Sequence, residues 1–239
     1  LEVRHLTGWT GTPRGHEGQA LAWVAPDKLV RYDMPPADRP VVAALRQPDR
    51  YLVTPEPEDP ARWLAALDQA LAGGVRRVQV RVRSLSGEAW RTLARSAVAR
   101  CRDAGVEVLL NGDIDLAREL EVGVHLHAAQ LAALAARPLP DGLAVAASCH
   151  TAADLQQAEA VGCDFAVVGS LHPTPSHPGG HSLGWPGFVH LREGVSLPIY
   201  AIGGMTPADI DEARRHGAQG IAAIRGLWPT TVREAPQSM

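Results

Sequence analysis

No run of apolar residues in this chain approaches the roughly 20 needed to cross a bilayer, and no signal peptide opens it. A soluble, cytoplasmic protein is the expectation. Cysteine is scarce: Cys101, Cys149 and Cys163 are odd in number and form no ligand-spaced cluster, which excludes a disulfide framework and fits a reducing compartment. Each reads as a small buried apolar residue. Charge of one sign is lacking too. A formal net charge of −3 gives no electrostatic footing for nucleic acid or a membrane surface, so neither is expected as a partner. The initiator methionine is also missing, and Leu1 reads as the start of a processed chain or of a piece of something longer. What is present, over 239 residues of ordinary apolar content, is enough for one full barrel or a barrel plus a fragment.

The first 48 residues do not read as a self-sufficient domain. Leu1 to Leu6 and Ala20 to Val24 are expected as strands and Pro40 to Leu45 as a short helix, too little to bury a core of its own. Gln47-Pro48-Asp49 reads as the linker, because a proline between polar residues interrupts both patterns. From residue 49 to 228 short apolar runs alternate with helical spacing. Strands are expected at Arg50 to Thr54, Val75 to Val82, Val106 to Leu110, Val122 to Leu126, Leu143 to Ser148, Phe165 to Gly169, Leu197 to the paired Gly203-Gly204, and Gly220 to Ile224. Helices fall between them, at about Pro60 to Ala72, Gly87 to Ala104, Asp113 to Glu121, Ala128 to Ala136, after Thr151 to about Val161, Pro186 to Arg192, and from Thr206-Pro207 to His216-Gly217. Eight strands separated by helices predict an α/β fold, a closed (β/α)8 TIM barrel, with an open doubly wound sheet as the alternative. Residues 229 to 239 read as a flexible tail.

In such a barrel chemistry sits at the carboxyl ends of the strands. The Gly203-Gly204 turn, where glycine amides meet a helix start, forms with the Ile224-Arg225 turn an expected phosphate site. Period-two alternation places Gln79, Arg81 and Arg83 on one face of the second strand, and Ser148 and His150 on one face of the fifth, with Cys149 turned away. Asn111 follows the third strand, His125 and His127 end the fourth, and Thr174-Pro175-Ser176-His177 follows the sixth. Guanidinium groups, an amide, hydroxyls and imidazoles facing a phosphate corner point to a small, polar, phosphorylated ligand.

Two resemblances are carried by these residues. Gln79-Val80-Arg81, Leu110-Asn111, Gly123-Val124-His125-Leu126, Ser148-Cys149-His150-Thr151, Gly169-Ser170-Leu171-His172-Pro173-Thr174 and Ala201-Ile202-Gly203-Gly204-Met205, with Gly217-Ala218-Gln219-Gly220-Ile221-Ala222, resemble the thiamine phosphate synthase and thiazole tautomerase family over residues 50 to 228. Gly8-Trp9-Thr10-Gly11, Gly15-His16-Glu17-Gly18-Gln19, Trp23-Val24 and Met34 to Pro40 look like the closing third of a mutator-type Nudix hydrolase, an 8-oxo-dGTP diphosphatase, without its catalytic box and with Asp38 where that family reads the purine with Asn. Together they look like a bacterial fusion of the two, with a Nudix domain as the expected partner in cis and a homodimer as a further expectation.

The synthase branch joins a thiazole phosphate to a pyrimidine pyrophosphate with Mg2+. The resemblance would place its carboxylates at Gly112 and Gln130, and its lysines at Arg83 and His177, so this chain departs from the pattern. Asp113 or Asp115 offers at most one replacement. The tautomerase branch uses no metal and a His at the end of strand five, where His150 stands, and imidazole can both take and return a proton near neutral pH. The resemblance therefore implies thiazole phosphate binding with tautomerase-like proton transfer by His150, no cofactor in that reading and Mg2+ if synthesis survives. His150 is then catalytic; Gly203, Gly204, Ile224 and Arg225 hold phosphate; and Gln79, Arg81, Arg83, Asn111, His125, Ser148, Thr174, Ser176 and His177 contact the substrate. Two rivals stay open: a zinc or nickel site among His125, His127, His150, His172, His177 and His181, and a non-catalytic barrel accessory to a Nudix enzyme.

Overall fold

The computed structural model describes residues 6, 8–173 and 182–230, and the chain divides after Gln47 into two compact units. In the first unit, 3-10 turns at Pro26–Arg31 and Pro36–Asp38 each begin on a proline, whose fixed φ suits a first helical position, and lead to a helix at Arg39–Arg46 (α1). The strand expected at Ala20 to Val24 is absent; those residues have no regular structure, and Leu21 and Trp23 are exposed. Alternation alone cannot make a strand without a ladder partner or a core face to bury, and the ring of Trp23 stacks instead on Trp9 at 5.1 Å between centroids. Of the other expected strand, residues 1–5 lie outside the described residues and Leu6 is irregular. Every large apolar side chain that stands exposed among the described residues belongs to this unit.

The second unit is a closed parallel barrel. Its strands are Arg50–Val53 (β1), Arg77–Val80 (β2), Glu107–Asn111 (β3), Gly123–Leu126 (β4), Val145–Cys149 (β5), Phe165–Val168 (β6), Ile199–Ile202 (β7) and Gly220–Ala223 (β8). Each pairs with the next in sequence and β8 closes on β1, so the open-sheet alternative is excluded. The outer helices are Pro60–Ala72 (α2), Gly87–Asp103 (α3), Ile114–Glu119 (α4), Ala128–Ala133 (α5), Ala152–Val161 (α6), Gly184–Arg192 (α7) and Ile210–Arg215 (α8). Local chemistry fixes their starts. Asp59 and Asp113 accept from the amides of Arg62 and Leu116, and Thr151 with Asp154 closes a capping box at α6. Thr206 and Asp209 do the same at the 3-10 turn Pro207–Asp209 that opens α8.

Period-two alternation gives the barrel two cores. Leu52, Val78, Val80, Leu110, Val124 and Leu126 point outward into the shell against the helices. Tyr51, Leu109, Ala146, Phe165, Val167, Tyr200 and Ala222 point inward and fill the lumen. The rings of Tyr51, Phe165 and Tyr200 meet edge-on or tilted, with centroids 5.3 to 5.7 Å apart. β2 breaks the apolar rule, because its inward residues are Arg77 and Gln79. Arg77 is only 4% exposed; it lies 4.1 Å over the Phe165 ring, pairs with Glu107 and donates to Tyr200 Oη at 2.8 Å. This buried charge is satisfied from three sides and closes the amino end of the lumen. No helix among the described residues is long and apolar enough to cross a membrane.

Candidate active site

At the opposite end the same inward face rises out of the lumen into a cavity of about 960 Å3. Its wall repeats the alternation strand by strand: Val53, Arg81, Asn111, Ser148 and His150, Val167 and Gly169, Ile202 and Gly204, Ile224 and Gly226. Arg83, His127, His172, Gly203 and Arg225 also line it. The structure thus gathers nine of the sequence-predicted residues around one space: Arg81, Arg83, Asn111, Ser148, His150, Gly203, Gly204, Ile224 and Arg225. Thr174, Ser176 and His177 lie outside the described residues.

Two expected contact residues are not in the wall. Gln79 and His125 are 3% and 1% exposed and lie beneath the cavity floor. Gln79 Nε2 donates to Tyr51 Oη at 3.2 Å, His125 Nδ1 is 3.1 Å from the same oxygen, and His125 Nε2 is 2.8 Å from Ser148 Oγ. The alternation places them on the correct face, but one layer too deep to touch a ligand. Burial above all, then the charges of His127 and Arg81, lowers the pKa of His125 to about 3, so it is neutral. Tyr51, which carries no catalytic motif, is the partner that sequence reasoning missed.

The corner at Gly203 and Gly204, expected from the sequence to hold phosphate, is built by close approach. Gly203 and Gly204 have φ of +116° and +75°, which L side chains rarely adopt. A Cβ on Gly226 would fall 2.2 Å from the carbonyl oxygen of Met205, so the β7 and β8 loops touch backbone to backbone there. Across the cavity, Glu56 accepts from the amide of Arg83 at 2.9 and 3.0 Å and from the amide and hydroxyl of Ser84 at 3.1 and 2.9 Å. Burial would raise the Glu56 carboxyl, but these hydrogen bonds outweigh it and hold the pKa below its ordinary value. Burial, then the charge of Arg83, presses the Arg81 guanidinium down against the pull of Glu56. Among the described residues no carboxylate is within ion-pair distance of Arg81, Arg83 or Arg225, so three guanidinium groups face the cavity without a direct ion pair, with Glu56 attracting Arg81 from farther away.

His150 sits at the rim. Its Nδ1 is 3.3 Å from the carbonyl oxygen of Gly169, and its amide donates to Asp154 at 2.9 Å. Facing a carbonyl, Nδ1 can only donate, so in the neutral ring the lone pair falls on Nε2.

The donor set does not fit Mg2+, a hard ion that wants carboxylate oxygens. Among the described residues no carboxylate lines the cavity. Asp113 is engaged by the indole of Trp90 at 2.7 Å and the amide of Leu116 at 3.0 Å, and Asp115 pairs with Arg118 at 3.0 Å on the outside. A Cβ on Gly112 would lie 2.5 Å from His127 Nε2, while Gln130 Nε2 donates to the Gly112 carbonyl at 2.7 Å. Side chains of this chain fill that corner. Nor does any group of three His, Cys, Asp or Glu among the described residues converge as a metal site, and both ring nitrogens of His125 are engaged. The three cysteines are buried, and burial raises each thiol above its ordinary range, which leaves them unreactive.

Known proteins are similar to this chain in sequence and fold. The thiamine-phosphate synthase of Bordetella avium is 35% identical over 199 residues, covering 79% of this chain and 91% of that protein. The thiamine-phosphate synthase of Thiobacillus denitrificans is 33% identical over 181 residues, covering 74% and 86%. The solved thiamine phosphate pyrophosphorylase of Pyrococcus furiosus shares the fold with a TM-score of 0.62 at 23% identity, over 78% of this chain and 91% of that one. Residues 50–227 match the sequence profile of thiamine monophosphate synthase, and the chain belongs to that family.

Proposed function

We propose that the barrel binds a thiazole phosphate of thiamine biosynthesis and moves a proton on it, as a thiazole tautomerase does. The observation that carries this reading is His150: Nδ1 is held by the Gly169 carbonyl, leaving Nε2 as a base at the rim of a cavity with three guanidinium groups free of direct ion pairs and, among the described residues, no carboxylate. The phosphate would lie on the amides of Gly203 and Gly204 and on Arg225. Arg81 and Arg83 would take the carboxylate of a thiazole carboxylate phosphate, and Asn111 would orient the ring. His150 would remove the proton from a saturated ring carbon through Nε2 and return it at the far, exocyclic end of the conjugated double bonds, which shift into the ring and make it aromatic without any net change in charge. The relatives' name favours synthesis, and Mg2+-dependent binding of the pyrimidine pyrophosphate would establish it instead. In the same reading, residues 1 to 48 are the remnant of a Nudix domain that accompanies the barrel in cis, supported by the motifs between Gly8 and Pro40.

Calorimetric titration with thiazole carboxylate phosphate, paired with a turnover assay, tests the proposal. His150→Gln is expected to bind within a few-fold of wild type and to lose about 10²- to 10⁴-fold in kcat, the range of a general acid–base group. Binding without turnover in wild type would make the barrel a non-catalytic binding module, and unchanged turnover in His150→Gln would remove His150 from the mechanism.

A further inference from the structure

Beneath the cavity, Gln79, Tyr51, His125 and Ser148 join β2, β1, β4 and β5 in a single file of hydrogen bonds, of which only the last member reaches the cavity. The direction of the file follows from the donors. Gln79 Nε2 can only donate, so Tyr51 Oη accepts from it. The Tyr51 hydroxyl hydrogen then turns to its other hydrogen-bond partner among the described residues, His125 Nδ1. A neutral His125 that accepts on Nδ1 carries its hydrogen on Nε2 and gives it to Ser148 Oγ. The hydrogen of Ser148 is left over for the cavity that this residue lines.

We infer that Gln79, Tyr51 and His125 are positioning residues that fix Ser148 as a hydrogen-bond donor, so that the ligand must present a lone pair to it, from a ring nitrogen or a carboxylate oxygen. Resting on the proposed function for the identity of the ligand, this inference deepens it by stating which side of the ligand the floor selects. Tyr51, His125 and Gln79 act through Ser148 and do not touch the ligand. A ligand offering only N–H or O–H at that point would leave the serine hydrogen unsatisfied, and such a mismatch is rejected more strongly than a missing methylene.

The tautomer of His125 is the direct readout. In the full chain labelled with ¹⁵N-histidine, the long-range proton–nitrogen spectrum is expected to show His125, assigned by its absence in His125→Gln, with a protonated Nε2 and a bare Nδ1. A protonated Nδ1 would overturn the inference whether or not any ligand binds, so failure of the proposed function remains distinguishable. Tyr51→Phe is expected to shift His125 toward a mixture of tautomers; an unchanged pattern would remove Tyr51 from control. With thiazole carboxylate phosphate as probe, Ser148→Ala and Tyr51→Phe are each expected to weaken binding about tenfold, and the double variant also about tenfold, since both remove one contact. A hundredfold, additive loss would mean that the two act separately and would overturn the relay.

Discussion

Gly203 and Gly204 adjoin one another just after β7, yet an alanine at each should cost very different amounts. Both have positive φ, and a non-glycine residue in such a sparsely populated region costs about 1–3 kcal/mol. At Gly204 little is added, because the nearest atom to a new Cβ is His172 Cβ at 3.6 Å, an ordinary contact. At Gly203 the Cβ would lie 2.3 Å from Ser170 Oγ, 2.6 Å from the amide nitrogen of Leu171 and 3.0 Å from Ser170 Cα. None of these can move freely: Ser170 Oγ donates to the His172 carbonyl at 2.7 Å, and the Leu171 amide donates to Ile202 at 2.8 Å. Overpacking a fixed backbone adds about 1–3 kcal/mol, which makes the expected loss about 2–6 kcal/mol for Gly203→Ala and about 1–3 kcal/mol for Gly204→Ala. Urea unfolding followed by circular dichroism, with an unchanged m-value, measures the difference. At about 2–4 °C per kcal/mol for a chain of this size, Gly203→Ala should melt about 4–24 °C below wild type. Equal losses at the two positions would refute the account, since the strand-six loop would then not be pressed against Gly203.

Three further outcomes follow from the same geometry. Because the folded pKa of His125 is about 3 against about 6.5 unfolded, its contribution to stability is present above pH 6.5 and is lost as pH falls through that window, at about 1.4 kcal/mol per pH unit; the stability of His125→Gln should fall less steeply with pH over it, and an identical slope would contradict burial of the neutral ring. Glu56→Gln should loosen the loop that carries Arg83 and weaken binding of inorganic phosphate or thiazole carboxylate phosphate; since the folded Glu56 pKa is depressed, the stability difference from wild type should be present at neutral pH and vanish as pH falls through the carboxylate range, as urea midpoints taken across that range would show. Gly226→Ala should push the β7 and β8 loops apart at Met205 and weaken phosphate binding about tenfold in calorimetry, the worth of one charge-assisted hydrogen bond; wild-type affinity would place the phosphate elsewhere.

The sequence by itself determined the barrel and its mouth. Eight alternating strands and helices pointed to a closed barrel, with the open sheet left for the β8–β1 pairing to exclude, and the inward face of each strand can be read to its end, which is why Arg81, Asn111, Ser148, His150 and Gly204 were legible as neighbours. Depth was not legible. Gln79 and Arg81 share a face two residues apart, and only the tilt and stagger of the closed sheet put one beneath the floor and the other in the wall. Burial then turned Gln79 and His125 from ligand contacts into supports for Ser148 and brought in Tyr51 from a strand with no motif. The same dependence on tertiary partners undid the strand expected at Ala20 to Val24, because a strand is specified by the ladder and core it joins, and alternation supplies neither. Whether the corner at Gly112 suits a metal was likewise decided in three dimensions, by the imidazole of His127 and the amide of Gln130 arriving from another strand end to fill it.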